Sequence, residues 1–116
     1  MRSATSAPVL VRVVLLVALV LASGACAGES PEVPLGPDGT PDAVLTMGRD
    51  VYSRRCANCH GAGGGGGTGP KLSDGQVIIA YPDQADQRLL IANGRNAMPS
   101  FSGSLSGAEL DAVVRY

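Results

Sequence analysis

The sequence predicts an all-α fold, in which one small domain of three or more short helices is joined by loops. Three stretches carry helix patterns (residues 41–57, 83–92 and 106–116), and only residues 76–81 read as a candidate strand. The 116 residues allow one domain, and their net charge of -1 argues against a nucleic-acid-binding protein. Three cysteines are too few for a scaffold held together by disulfides.

Each predicted helix has a start signal. Thr40 can cap the first helix, which would begin with a proline. Asp83 can cap the second, and Gly94 can end it in the left-handed conformation. In the third, Ser106 and Glu109 have the spacing of a capping box, the clearest start signal of the three. The last helix is short, so we expect it to dock weakly.

Residues 1–25 have the three-part layout of a secretory signal peptide. Arg2 gives a positive start, ten apolar residues follow from 13 to 22, and residues 23–25 are small. As a helix, ten residues reach about 15 Å, half of a hydrocarbon core of about 30 Å. We therefore predict export, to the periplasm or the outer face of the cytoplasmic membrane, with an uncleaved membrane anchor as the alternative.

Cys26 and the segment after it leave two possibilities open. The residues around Cys26 resemble a bacterial lipoprotein processing site, which would make Cys26 a lipidated first residue; they also fit an ordinary secretory cleavage site. Residues 26–41 form a linker rich in Pro and Gly, which favours extended conformations. This linker is either a membrane tether or an idle tail. The folded domain is expected at 42–116.

The residues that point to a chemical function are Cys56-Ala57-Asn58-Cys59-His60. They form the C-x-x-C-H pattern of c-type haem attachment. Two thiols three residues apart can form thioethers with the two vinyl groups along one haem edge. His60, the only histidine of the chain, then lies beneath the ring, where its imidazole can bind iron. A thioredoxin-like pair would need a surrounding α/β pattern, a zinc site would need a fourth ligand, and a structural disulfide would leave His60 without a role.

A second axial ligand would come from one of two methionines. Met47 lies on the same predicted helix as Cys56, about 14 Å along its axis, and is expected to pack in the core. Met98 follows His60 by 38 residues, which is enough chain to reach the opposite face of a haem. Pro99 restricts Met98 to extended conformations and helps to hold such a loop. Met98 is the predicted ligand, and a gap-filling core methionine is the alternative.

From about residue 42 to 116 the chain resembles the class I cytochromes c, which are monohaem electron-transfer proteins. Gly48 and Tyr52 stand ahead of the attachment motif as in that family. The resemblance implies that these two residues pack against an aliphatic and an aromatic residue of the last helix, roles that Val113 and Tyr116 fit. It also implies a small cytochrome c fold wrapped around one covalently bound haem.

The resemblance extends to the segment after the histidine. Gly69-Pro70 matches the family's Gly-Pro, in which the proline carbonyl accepts the imidazole N–H, and Leu72 would pack on the haem. The five consecutive glycines at 63–67 depart from the family pattern and favour a floppy loop.

These patterns predict a non-enzymatic, one-electron carrier containing one haem c and its iron. His60 and Met98 together would fill the axial positions, which favours electron transfer over the binding of a small-molecule substrate. The expected partners are a redox protein donor and acceptor, membrane-bound respiratory complexes, and the membrane itself through Cys26. One alternative is a haem-bearing subunit of a larger dehydrogenase or oxidase. Another, if Met98 does not bind, is a sensor or peroxidase-like protein with open iron.

Overall fold

The computed structural model describes residues 29–116, and this part of the chain contains five α-helices and no sheet. Its strand-like pairing is limited to two isolated bridges, Leu35 with Pro41 and Arg95 with Met98. None of the helices in this part is long and apolar enough to span a bilayer. The all-α prediction is confirmed. In chain order the helices are α1 (Ala43–Arg55), α2 (Ala57–His60), α3 (Gln76–Ala80), α4 (Gln84–Asn93) and α5 (Gly107–Arg115).

The first helix is capped by Asp42, so the prediction of Thr40 was wrong. The Asp42 carboxylate accepts hydrogen bonds from the backbone N–H groups of Val44 (2.8 Å) and Leu45 (3.0 Å). The Thr40 hydroxyl instead donates to the Asp38 carboxylate at 2.8 Å. Thr40 thus belongs to the preceding turn, and α1 begins after the proline.

The other two caps lie where the sequence predicts them. The Asp83 carboxylate accepts from the N–H of Ala85 at 2.8 Å, and Gly94 follows α4 with a φ of 74°. At α5, the Ser106 hydroxyl accepts from the N–H of Glu109 at 3.2 Å. The Glu109 carboxylate in turn accepts from the N–H of Ser106 at 2.8 Å, which completes the capping box.

Residues 76–81 are not the strand for which they were the candidate, because Gln76–Ala80 form a helix. Helix α3 follows Gly75, whose φ of 74° turns the chain into it. A short apolar run cannot distinguish helix from strand by its periodicity, which explains the difference. No residue of α3 is buried, and Ile78 and Ile79 are 67% and 76% exposed.

Helices α1 and α5 cross in close contact at Gly48. A Cβ atom at this position would lie 2.2 Å from the Ala112 carbonyl oxygen and 2.6 Å from the Tyr116 Cβ. Beside the crossing, the rings of Tyr52 and Tyr116 pack with centroids 5.8 Å apart. The last helix is therefore firmly docked, because α5 approaches so closely that only a glycine fits opposite it.

The core lies between α1, α4 and α5. Val113 packs against its edge, and the atoms of the last helix region that face Gly48 are backbone atoms of Ala112 and the Cβ of Tyr116. The core itself consists of four buried residues, Val51, Ala92, Leu105 and Leu110.

The described part of the linker, residues 29–41, folds back on the domain. Ser30 is only 7% exposed, and a turn is closed by a hydrogen bond from the Gly36 N–H to the Thr40 carbonyl (2.7 Å). The prolines alone would favour an extended segment, but this part is closed by its own turn and contacts α1 through Ser30 and Ser53. The predicted signal peptide (1–25) and Cys26 lie outside the described residues.

Candidate functional site

The two cysteines and the histidine come together on the short helix α2. Cys56 occupies the break between α1 and α2, and its carbonyl accepts the N–H groups of Cys59 (3.1 Å) and His60 (3.0 Å). Both cysteines are free thiols. Cys56 is half-buried and burial raises the pKa of its thiol, an effect to which neighbouring Cys59 adds, while Cys59 is exposed. One helical turn thus brings two free thiols and an imidazole together.

The His60 ring is 8% exposed and is held from one side by the Gly69–Pro70 segment. Its Nδ1 lies 2.8 Å from the Pro70 carbonyl oxygen, which is the contact that the resemblance implies. A Cβ on Gly69 would lie 2.8–3.1 Å from three atoms of the ring, so glycine is required there. A carbonyl can only accept, so Nδ1 is the protonated nitrogen and the lone pair lies on Nε2.

The glycine-rich segment between His60 and Pro70 is a hydrogen-bonded loop, in contrast to the floppy loop expected from its composition. The N–H of Gly66 donates to the His60 carbonyl, and the Gly64 carbonyl accepts from the N–H of Leu72, each at 2.8 Å. Gly64 and Gly66 have φ values of 72° and 94°, in the left-handed region that glycine adopts readily. The loop therefore ties Leu72 to the residues that follow the histidine.

Tyr52 supports the same segment from α1, a role that the sequence analysis did not assign to it. Its hydroxyl donates at 2.6 Å to the carbonyl of Gly61, the residue that directly follows His60. The ring is 8% exposed, and burial raises the pKa of the hydroxyl. No local pattern could have indicated this contact, because it depends on the angle between α1 and α2.

Met98 lies in a tight turn anchored to the end of α4. Arg95 and Met98 exchange two backbone hydrogen bonds, of 3.0 and 2.9 Å. A Cβ on Gly94 would lie 2.6 Å from the Met98 carbonyl oxygen, so Gly94 brings the turn close to the helix. The side chain of Met98 is half-buried. Met47, which was expected to pack in the core, is 41% exposed on α1.

These residues fit a covalently held haem better than the other sites considered. The thiols are unpaired, and residues 29–116 bring together no group of three or more His, Cys, Asp or Glu side chains able to hold a metal ion. The helical surroundings also lack the sheet of a thioredoxin-like protein in this part of the chain. Cys56 and Cys59 would hold the haem, and His60 would offer its Nε2 atom, because the Pro70 carbonyl engages only Nδ1.

Residues 43–116 match the family model described as cytochrome c oxidase, cbb3-type, subunit III. Cytochrome c6 of Leptolyngbya boryana is 32% identical over 76 residues, which cover 64% of this chain and 89% of that protein. Cytochrome c6 of Bryopsis maxima is 36% identical over 77 residues, covering 62% and 86% respectively.

A larger relative contains a similar domain. Dihydro-heme d1 dehydrogenase of Pseudomonas aeruginosa is 33% identical over 102 residues, covering 88% of this chain but only 17% of that protein. A solved structure of dihydro-heme d1 dehydrogenase in complex with DHE superimposes with a TM-score of 0.56 and 38% identity, covering 60% of this chain and 15% of that one. The present chain therefore corresponds to a small part of that dehydrogenase.

The family match covers well over half of the chain, and the helical fold agrees with it. Membership implies a covalently bound haem c, with which the Cys56 and Cys59 pair is consistent, and redox proteins as partners. The chain belongs to the class I cytochromes c, as a monohaem domain like cytochrome c6 and subunit III of the cbb3-type oxidases.

Proposed function

We propose that this protein is a one-electron carrier of an extracytoplasmic, respiratory-type electron-transfer chain, with His60 and Met98 as the axial ligands of its haem iron. The observation that carries the proposal is the fixed imidazole of His60. Its Nδ1 is held 2.8 Å from the Pro70 carbonyl oxygen, next to two free thiols on the same short helix.

Contacts within the protein orient His60. The hydrogen bond to Pro70 fixes the tautomer, and the backbone at Gly69 passes so close to the ring that a Cβ there would clash with it. A hydrogen bond of this kind also raises the basicity of the other ring nitrogen. His60 would therefore present Nε2 as a strong ligand in one direction. A haem bound there would supply an iron that alternates between the ferrous and ferric states.

The backbone around Met98 is held in place by hydrogen bonds to α4 and within the turn. Its two backbone hydrogen bonds with Arg95 close the turn, and the Ser100 hydroxyl ties the following residues to the Ala92 carbonyl at 2.6 Å. A thioether ligand favours reduced iron relative to a second nitrogen ligand and raises the potential. With both axial positions filled, electron exchange would not require any other molecule to bind the iron.

Helix α3 offers an apolar surface that a porphyrin could cover. None of its residues is buried by protein, and Ile78 and Ile79 are mostly exposed. A buried aliphatic side chain contributes about 1.5–3 kcal/mol, so covering even part of this surface would stabilise the fold. Covalent attachment through Cys56 and Cys59 would keep the cofactor in place during each exchange with a partner.

The location follows from the first residues of the sequence. A positive start, a ten-residue apolar run and a Cys26 preceded by small residues support export and attachment to the outer face of the cytoplasmic membrane. The partners would then be membrane-bound respiratory complexes that donate and accept electrons at this surface.

A second candidate is an electron-transfer subunit or domain of a larger enzyme. It is favoured by the relationship to dihydro-heme d1 dehydrogenase, of which this chain spans 17%. Stoichiometric co-purification with a large dehydrogenase or oxidase would support this candidate, and recovery of the chain alone, in a form that exchanges electrons with respiratory complexes, would support the free carrier.

The attachment is tested by expression in a host with cytochrome maturation machinery. We expect a haem-stained band on a denaturing gel, and an intact mass equal to the mature chain plus one haem. The variant Cys56→Ala with Cys59→Ala should lose the stain. A colourless wild-type product with the mass of the bare polypeptide would contradict the proposal.

The axial ligand is tested separately with Met98→Ala and the matched control Met47→Ala. Loss of Met98 should abolish the sulfur-to-iron charge-transfer absorption of the oxidised protein and allow rapid carbon monoxide binding in the reduced protein. Met47 is 41% exposed on α1, so its variant should behave as the wild type in both assays. A charge-transfer absorption that persists in Met98→Ala would refute the ligand assignment.

A further inference from the structure

The segment Ser30–Glu32, here called the strap, is bound to the surface formed by α1 and α5. Ser30 is 7% exposed, and its hydroxyl lies 2.9 Å from the hydroxyl of Ser53 on α1. Buried polar groups are normally hydrogen-bonded, and this pair satisfies that requirement for Ser30. The strap is thus part of the folded domain, although it lies ten residues ahead of the first helix.

Arg49 is the centre of this contact. Its Nε donates to the Pro31 carbonyl at 2.9 Å, and its Nη2 donates to the Ser30 carbonyl at 3.1 Å. The same Nη2 lies 3.4 Å from the Glu32 carboxylate, an exposed ion pair that contributes little. A guanidinium is a fork of fixed donors, and here it binds two consecutive backbone carbonyls, which no other residue type on α1 could do.

Tyr116, directly after α5, completes the contact. The Tyr116 hydroxyl donates to the Pro31 carbonyl at 2.9 Å, and the Tyr116 ring packs on Tyr52. The strap is therefore held from α1 by Arg49 and Ser53 and from the end of α5 by Tyr116. Hydrogen bonds that span 19, 23 and 85 residues of sequence fix it to the domain.

We propose that the strap keeps the domain close to its membrane attachment and turns the α1–α5 surface towards it, an inference that rests on the membrane attachment in the proposed function. Only three residues lie between Cys26 and Ser30, and the four steps from one to the other span about 12 Å at about 3.1 Å each. Were the strap free, the flexible segment would run to Asp42 and reach about 50 Å. The docked strap thus limits the carrier to partners in its own membrane.

Docking is tested on the full, haem-loaded chain with a glutamate-specific endoprotease. The sequence has three glutamates: Glu29 directly precedes the strap, Glu32 is its last residue, and Glu109 lies in α5. A protease needs an extended, undocked substrate, so cleavage follows the population of the open segment. Arg49→Gln should cleave at Glu29 and Glu32 about tenfold faster than wild type, because it loses several hydrogen bonds to the strap.

Two further variants keep this result specific. Arg54→Gln removes an exposed arginine of the same helix that makes no hydrogen bond to the strap, so its cleavage rate should equal that of the wild type. Tyr116→Phe removes one donor but keeps the ring, so it should cleave at an intermediate rate. Rapid cleavage in the wild type, or equal rates in the arginine variants, would overturn the docking.

The distance that the domain can move away from the membrane is measured by neutron reflectometry on supported bilayers that carry the mature protein. The protein layer should extend farther from the bilayer in Arg49→Gln than in wild type or Arg54→Gln, by up to about 37 Å. An unchanged layer, or a mature chain that is not attached to the bilayer, would overturn the proposed restriction. Haem content is measured on the same samples, so a failure of attachment to haem is seen independently of a failure of the strap.

Discussion

Gly48 gives the sharpest test of the fold, because replacing it by alanine should destabilise a helix that alanine normally favours. The exchange alone would stabilise α1 by about 1 kcal/mol. Here, however, the new Cβ would lie 2.2 Å from the backbone carbonyl oxygen of Ala112 and 2.6 Å from the Tyr116 Cβ. Neither neighbour can move away by rotating a side chain, so α5 itself would have to shift.

Overpacking of this kind costs about 1–3 kcal/mol, and a contact with backbone belongs at the upper end. After subtraction of the helix-propensity gain, Gly48→Ala should lower the free energy of unfolding by about 2 kcal/mol. For a domain of this size that corresponds to a fall in Tm of about 8–16 °C. Because thioethers would retain the haem in the unfolded chain, cofactor loss would not obscure the transition.

The assay is thermal unfolding of the haem-loaded protein followed by circular dichroism. Gly107→Ala is the matched control, since Gly107 starts α5 and its Cβ would meet only the flexible end of Arg88, at 3.5 Å. Its Tm should equal or slightly exceed that of wild type. If Gly48→Ala melted within about 3 °C of wild type, the helix crossing would not be as close as described.

Three other changes test the caps and the support of the site. Tyr52→Phe loses the hydrogen bond to Gly61 and should lower the unfolding free energy by about 1 kcal/mol in denaturant titrations; an unchanged midpoint would speak against that bond. Ser106→Ala removes the α5 cap and should also cost about 1 kcal/mol, and equal stability would exclude the cap. The Leu45 N–H lowers the pKa of Asp42, so the stability from that carboxylate is complete above about pH 4 and is lost as pH falls through the lowered pKa. Asp42→Asn should therefore weaken the acid dependence of Tm, and an identical pH profile would contradict this.

Much of the fold could be predicted from the sequence where the determining contacts are local. Asp83 and the Ser106–Glu109 capping box act within three residues, so their spacing is sufficient. The prediction that Thr40 caps α1 was wrong because two neighbouring residues could serve as the cap. Thr40 belongs to the preceding turn because its hydroxyl binds the Asp38 side chain. The prediction of a strand at residues 76–81 was wrong because a short apolar run fits the period of a strand and that of a helix equally well.

In the candidate site, too, local contacts could be predicted from the sequence and contacts between distant residues could not. The spacing of Cys56, Cys59 and His60 predicts one cluster, because the three residues occupy a single helical turn. The hydrogen-bonded structure of the glycine loop could not be predicted, because it depends on a bond between Gly64 and Leu72, on opposite sides of the loop. The contact between Arg49 and the strap depends on distant residues in the same way.

The hydrogen bond between Pro31 and Tyr116 has a consequence for protein engineering. It brings Pro31, ahead of the first helix, next to Tyr116, directly after α5, so chain entering at one and leaving at the other would meet on the same side of the domain. A unit of this geometry can be inserted into a surface loop of a host protein without stretching the host on either side of the insertion. Such a graft would add a redox module to an unrelated scaffold through one interrupted loop.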